Sequence, residues 1–192
     1  IRAELTKDGV TTDIKAEYSV KEYVVATLEN HSDNEELCQL LTADEKYGNA
    51  QGHYQGLCLL EATGVLARVF PELCLGKGMA QRSDYHKYDV LFHSLRATMY
   101  APKDIRLAAL LHDVGKPYCQ IHDGRMHGHP IQGKQIAQKI LTRLKAPKKQ
   151  AALVLELVEW HMYDFDCQTK ENKLRRFFVE HYHILQPLIQ LK

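Results

Sequence analysis

His112 and Asp113 put an imidazole next to a carboxylate at the end of the apolar run 107–111. Burying such a pair costs free energy unless each group finds a partner, and a shared cation is one solution. The ordinary alternative is a helix-end imidazole beside a solvated carboxylate. His93, nineteen positions earlier, lies among Leu91, Phe92 and Leu95. A lone histidine on such a face is commonly a hydrogen-bonded core residue. Two consecutive helices packed as neighbours would instead bring His93 and His112 to one point. Downstream, His129 precedes a helix and His161 ends one, so four segments each offer an imidazole. Mixed imidazole and carboxylate ligation suits Mn²⁺, Fe²⁺, Co²⁺, Ni²⁺ or Zn²⁺. It suits Ca²⁺ poorly, since that ion prefers oxygen throughout.

Helices must carry these residues. Asp89 is a good N-cap for a helix over 90–100, where Leu91, Leu95 and Met99 share one face. Pro102 and Asp104 start a helix over 105–113, mostly buried, and Gly115 and Pro117 end it. Residues 119–128 hold Asp123-Gly124, a turn or hairpin tip. Pro130 suits the first turn of a helix with Ile136, Ile140, Leu141 and Leu144 inward. Pro147 opens another that runs through Leu157 to His161, and further helices fall at 171–180 and 184–191. Upstream, 54–69 suggest a helix interrupted near Gly64, 75–84 a loop and 33–41 a helix. Residues 21–28 fit a short helix or a strand, and the stretch around Gly9 has no assignable pattern. The period is helical throughout, so the expected fold is all-α from about residue 85 onward.

Composition narrows the function classes. With 192 residues, 45% of them hydrophobic, the chain can bury a real core. A formal charge of +1 argues against a strongly basic nucleic-acid binder but leaves room for a local patch. No apolar run approaches the length of a membrane span, and no signal-peptide pattern is present. The five cysteines are odd in number and form no CxxC, which fits reduced thiols in a cytoplasmic protein. Six of the eleven histidines fall within 44 positions.

Taken together, the segments 85–95, 108–117 (Ala-Ala-Leu-Leu-His-Asp-Val-Gly-Lys-Pro) and Gly128-His129 resemble the HD superfamily of metal-dependent phosphohydrolases. With Val158-Glu159-Trp160-His161-Met162 they look most like the HD domain joined to bacterial tRNA nucleotidyltransferases, the CCA-adding and poly(A) polymerase family. The resemblance covers about residues 55–192. It implies an HD-domain helical bundle there, with a smaller, mainly helical N-terminal region over 1–54, the possible end of a preceding domain. It further implies His93, His112 and Asp113 as ligands of a first metal. His129 and His161 would complete a second site, with Asp113 bridging. His127, two positions from His129, is an alternative to it. Lys116 would contact a non-bridging phosphate oxygen, unless it is simply a solvated helix-end lysine.

The family pattern closes its first site with an aspartate after the final helix. Here either that residue lies just beyond Lys192 or the site is incomplete, with Asp164 and Asp166 as less favoured substitutes. Phe92 and Pro130 stand where relatives often place acidic residues, which alters the groups behind the ligands. Two functional classes follow. One is a phosphohydrolase with one or two divalent transition-metal ions, acting on a cyclic nucleotide or nucleotide monophosphate. Asp113 and Lys116 would be its catalytic groups, and Lys116 and Arg176 its substrate contacts. The other is a tRNA-associated portion of a nucleotidyltransferase with little or no hydrolysis of its own. Arg175-Arg176, Lys145, Lys148 and Lys149 could then track a phosphate backbone. Nucleotidyl transfer itself is not expected of this chain, because Asp164-Phe165-Asp166 lacks the Gly-Ser lead-in that such sites use.

Overall fold

Asp89 starts the helix that carries His93. Its Oδ1 accepts from the Phe92 N–H at 2.7 Å and its Oδ2 from the Gly78 N–H at 2.8 Å. The next two helical N–H groups, of Val90 and Leu91, donate to the carbonyls of Met79 and Gly76. The glycine-containing turn before the helix therefore satisfies donors that a helix start leaves open. This computed structural model describes residues 3–7, 10–14, 34–44, 48–81, 87–164 and 169–191. The readings for 21–28, His86 and Asp166 lie outside them.

The chain begins with a two-stranded antiparallel hairpin, β1 (Ala3–Lys7) and β2 (Val10–Ile14), paired Lys7 to Val10 and Ala3 to Ile14. Helices follow: α1 (Asn34–Leu41), α2 (Gly52–Ala62), α3 (Leu66–Val69), α4 (Pro71–Cys74), α5 (Val90–Tyr100) and α6 (Arg106–Leu111). Beyond the His112-Asp113 turn come α7 (Lys116–Asp123), α8 (His129–Arg143), α9 (Lys148–Trp160), α10 (Glu171–His181) and α11 (Leu185–Leu191). The all-α bundle expected for the HD region is what the chain forms. Gly64, at φ 73, separates α2 from α3 at the expected break.

Two elements depart from the sequence reading, the first being the β1–β2 hairpin within the N-terminal region expected to be mainly helical. Pro117 does not end a helix but stands in the first turn of α7, where its missing N–H is harmless. Asp123-Gly124 is that helix's end, with Gly124 left-handed at φ 66.

The core centres on α6, whose six residues are all buried. It packs against α5 on one side and α9 on another, while α8 and α9 form a helical hairpin. Leu91, Leu95, Leu110, Leu111, Ile140 and Leu157 are fully enclosed between them. Truncating such a leucine to alanine costs about 2–5 kcal/mol. Leu37 and Leu41 of α1 join the same core. Just after α1, Asp44 receives a two-pronged bond from Arg106, at 2.7 and 2.6 Å. Among the described residues no helix is long and apolar enough to cross a membrane. Among the described residues Cys58, Cys74 and Cys119 are free thiols.

Candidate metal centre

Four helix ends meet at one carboxylate. α5 brings His93 from its first turn, and the turn after α6 brings His112 and Asp113. His129 is the first residue of α8, and His161 directly follows α9. Asp113 is 1% exposed, and His112, His129 and His161 are also buried.

Asp113 presents a different oxygen to each imidazole pair. Its Oδ2 lies 3.4 Å from His93 Nε2 and 3.1 Å from His112 Nε2. Its Oδ1 lies 3.2 Å from His129 Nε2 and 3.5 Å from His161 Nε2. Within each pair the two Nε2 atoms are 3.1 Å apart. Two three-residue groups thus share Asp113, and each could hold a metal ion.

Tautomers decide what these nitrogens want. Nδ1 of His112, His129 and His161 faces the backbone carbonyl three residues back, at 2.7, 2.9 and 2.8 Å. A carbonyl only accepts, so each Nδ1 donates and a neutral ring carries its lone pair on Nε2. Lone pairs then converge on one another and on an anion, which is repulsive until a proton or a cation enters. Asp113 Oδ1 is buried without a hydrogen-bond donor aligned on it. Metal–imidazole bonds of about 2.0–2.1 Å leave neighbouring ligands roughly 3 Å apart, close to this spacing. The residues fit a divalent ion of the imidazole-binding kind.

Electrostatics agree. Burial works to raise the Asp113 carboxyl. The charge on His112, and polar contacts with His112, His129 and His161, nevertheless hold it well below the usual carboxylate range. Burial works to lower His112, yet the charge of Asp113 outweighs it and the imidazole is raised. His161 is lowered, by burial first. The centre is built as an anion among basic nitrogens.

Lys116 completes the inner shell of contacts. Its Nζ bonds Asp113 Oδ2 at 2.7 Å and Gln81 Oε1 at 2.6 Å, and the residue is 8% exposed. It is a buried charged group rather than a solvated helix-end lysine. A cleft of about 1110 Å³ opens against Lys116 and His129, with Gln81, Arg125, His127 and Trp160 in its walls.

His93, His112, Asp113, Lys116, His129 and His161 are therefore brought together. His127 is exposed in the cleft wall, while His129 is the one beside Asp113. Arg176 stays apart, 79% exposed on α10 and bonded to Glu180 at 2.9 Å. Asp164 is exposed and outside both metal-competent groups. Gln81 was not foreseen: it acts on Lys116 across 35 positions, and nothing in its neighbourhood marks it.

The model of the HD domain family matches residues 84–178, which include every residue of both groups. The chain carries an HD domain. The CC-adding tRNA nucleotidyltransferase of Thermus thermophilus is 39% identical to it over 148 residues, 71% of this chain and 33% of that protein. The A-adding tRNA nucleotidyltransferase of Deinococcus radiodurans is 36% identical over 149 residues, 71% and 34% of the two chains. The Multifunctional CCA protein of Nitrosococcus oceani is 34% identical over 110 residues, 54% and 27%. The HD-bearing chain spans about a third of the length of the curated relatives it matches.

Proposed function

We propose that this chain is the HD-bearing, tRNA-associated portion of a tRNA nucleotidyltransferase, with one or two divalent ions at the Asp113 centre. The observation that carries it is identity of 39% and 36% over nearly 150 residues to two enzymes of that description. In this reading residues 55–192 are the HD domain and 1–54 the end of a preceding domain, and the protein is cytoplasmic. The test is binding of a tRNA transcript by the chain, set against an RNA hairpin of equal length. No binding, or equal binding of the hairpin, would overturn it.

A second reading is favoured by one specific observation: Asp113 is shared by two imidazole pairs, and His129 of one pair and Lys116, bonded to Asp113, both line a cleft. On this reading the centre hydrolyses a phosphate ester, such as a cyclic nucleotide or nucleotide monophosphate. A bound divalent ion would polarise the phosphate and lower the pKa of a water. The chain's own part is positional. Asp113, His93, His112, His129 and His161 hold the charge in place. Lys116 sets its ammonium between Asp113 and the cleft, where a non-bridging phosphate oxygen would meet it. Gln81 keeps that ammonium from swinging away.

The assay is hydrolysis of 2′,3′-cyclic AMP and a chromogenic phosphodiester with added Mn²⁺, Co²⁺ or Ni²⁺. Turnover that disappears in Asp113→Ala supports the reading. Absence of turnover with all three metals, or turnover indifferent to that substitution, rules hydrolysis out and leaves the tRNA-associated role.

A further inference from the structure

Charge is unevenly placed along this chain. Residues 124–155 contain seven lysines and arginines and not one aspartate or glutamate. The whole chain is at formal +1, so the remaining residues sum to −6. The acid-free run is α8, the turn that follows and most of α9. Two of its cations are neutralised from elsewhere, Lys134 by Glu159 at 2.6 Å and Arg143 by Glu72 at 2.7 Å. Arg125, Lys139, Lys145, Lys148 and Lys149 are exposed, and none of them is ion-paired among the described residues.

Lys145 supplies a second observation. At φ 52 it is the one non-glycine residue with positive φ among the described residues. It closes α8, donating its N–H to the Thr142 carbonyl at 3.1 Å, while the Ala146 N–H donates to Leu141 at 2.9 Å. Glycine commonly holds this helix-ending position, because a side chain there is strained. A lysine kept against that strain places an ammonium at the tip of the α8–α9 hairpin.

We propose that this stripe binds the phosphate backbone of RNA, running from Arg125 at the cleft along α8 to Lys145, Lys148 and Lys149. The fifteen residues of α8 span about 22 Å at 1.5 Å per residue, from His129 of the metal centre to the lysine-rich turn. An acidic polypeptide is the competing polyanion. RNA is favoured because the stripe begins beside a site suited to phosphate esters. The exposed amide of Gln135 on α8 also offers the neutral donor that backbone contacts use. The inference rests on the tRNA-associated reading and names its surface; it needs no metal and no hydrolysis.

The test is fluorescence anisotropy with a labelled tRNA transcript between 50 and 200 mM KCl. The parent chain is compared with K139Q/K145Q/K148Q/K149Q, glutamine being nearly as good a helix former as lysine. Each lost phosphate contact removes roughly 0.7–0.9 from the slope of log affinity against log salt. The quadruple variant should lose about 3 from that slope and at least about tenfold in affinity at low salt. K145G should melt higher than the parent and bind more weakly, a combination that general destabilisation does not produce. R175Q/R176Q, whose arginines are paired with Glu171 and Glu180, should bind like the parent. If the quadruple variant melts early, K139Q/K145Q and K148Q/K149Q carry the same test, each with about half the slope change.

A parent chain that does not bind tRNA overturns both the stripe and the tRNA-associated reading. Binding that survives in the quadruple variant with unchanged slope overturns the stripe alone. So does polyglutamate displacing the tRNA at equal charge concentration, which would assign the surface to an acidic protein.

Discussion

Gly115 and His129 meet backbone to backbone. A Cβ on Gly115 would run into the His129 carbonyl oxygen, and would stand 2.5 Å from the Gly133 nitrogen and 2.9 Å from its Cα. The turn that carries His112 and Asp113 and the helix start that carries His129 thus touch with no room between them. Glycine is needed here for closeness, since its φ of −81 is open to any residue. Gly115→Ala must push the two elements apart. It is expected to cost at least about 2 kcal/mol and to loosen the imidazole pair on Asp113 Oδ1. Thermal melts and metal content after dialysis measure both effects. An alanine variant with parental values in each would show that the contact does not set the site.

The split of Asp113 between two imidazole pairs makes a prediction about stoichiometry. If each group holds an ion, His93→Ala should remove the one bound by His93, His112 and Asp113, and His129→Ala the one bound by Asp113, His129 and His161. Asp113→Asn should remove both. Ligand that binds only the folded state raises stability, by about 2.7 kcal/mol at a hundred times its Kd. Added Mn²⁺ or Co²⁺ should therefore raise the melting temperature of the parent and leave that of Asp113→Asn unmoved. Metal counted by plasma emission decides it. Unaltered metal content in both histidine variants would sink the two-group reading.

How much of this was legible beforehand follows from the range over which each signal acts. Asp89 and the four-residue spacing of Leu91 and Leu95 are local, and α5 starts and stops as they dictate. His112, His129 and His161 could be placed at helix boundaries from neighbouring residues alone, but His93 read as mid-helix rather than in the first turn of α5, and their convergence was an implication of the resemblance. Signals that depend on distant partners were not readable. Gln81 meets Lys116 across 35 positions, and the cleft wall that includes Arg125 and Trp160 is assembled from separate elements. The α7 helix was obscured by a local ambiguity, because proline both ends helices and opens them. The hairpin of β1 and β2 flanks Asp8-Gly9, a common two-residue hairpin pair. Its strands are only five residues each, too short for a period to stand out.

Arg106 ties the segment after α1 to the bundle. The residue is 7% exposed, and its guanidinium bonds both Asp44 oxygens and the carbonyls of Leu41 and Ala101. Removing one partner of a buried pair leaves the other charge unmet and costs roughly 3–5 kcal/mol. Arg106→Ala should fall short of that loss, because Asp44 is only partly buried and His53 stays beside it. Arg106→Lys keeps the charge but not the fork, so it should fall between the two. Urea unfolding of both variants and of Asp44→Ala gives the comparison. Losses that simply add in the double variant Asp44→Ala/Arg106→Ala would show that the pair is not coupled.

His53 gives a pH dependence of known sign. The ring is fully buried, and its Nε2 lies 3.0 Å from the Thr98 carbonyl, to which it donates. Its Nδ1 is buried with no hydrogen-bond partner, 3.8 Å from Asp44 Oδ1. Burial, and then the charge of Arg106, hold the imidazole below its ordinary value of 6.5. The unfolded chain therefore binds this proton more readily than the folded one. The stability that follows is whole above about pH 6.5 and is lost as pH falls from there toward the lowered folded value. His53→Gln keeps a donor for Thr98 and cannot titrate. The stability of the parent relative to His53→Gln should be greatest near pH 7.5 and shrink steadily toward pH 5. Urea midpoints across that range test it, and two parallel pH curves would rule out His53 as the group responsible.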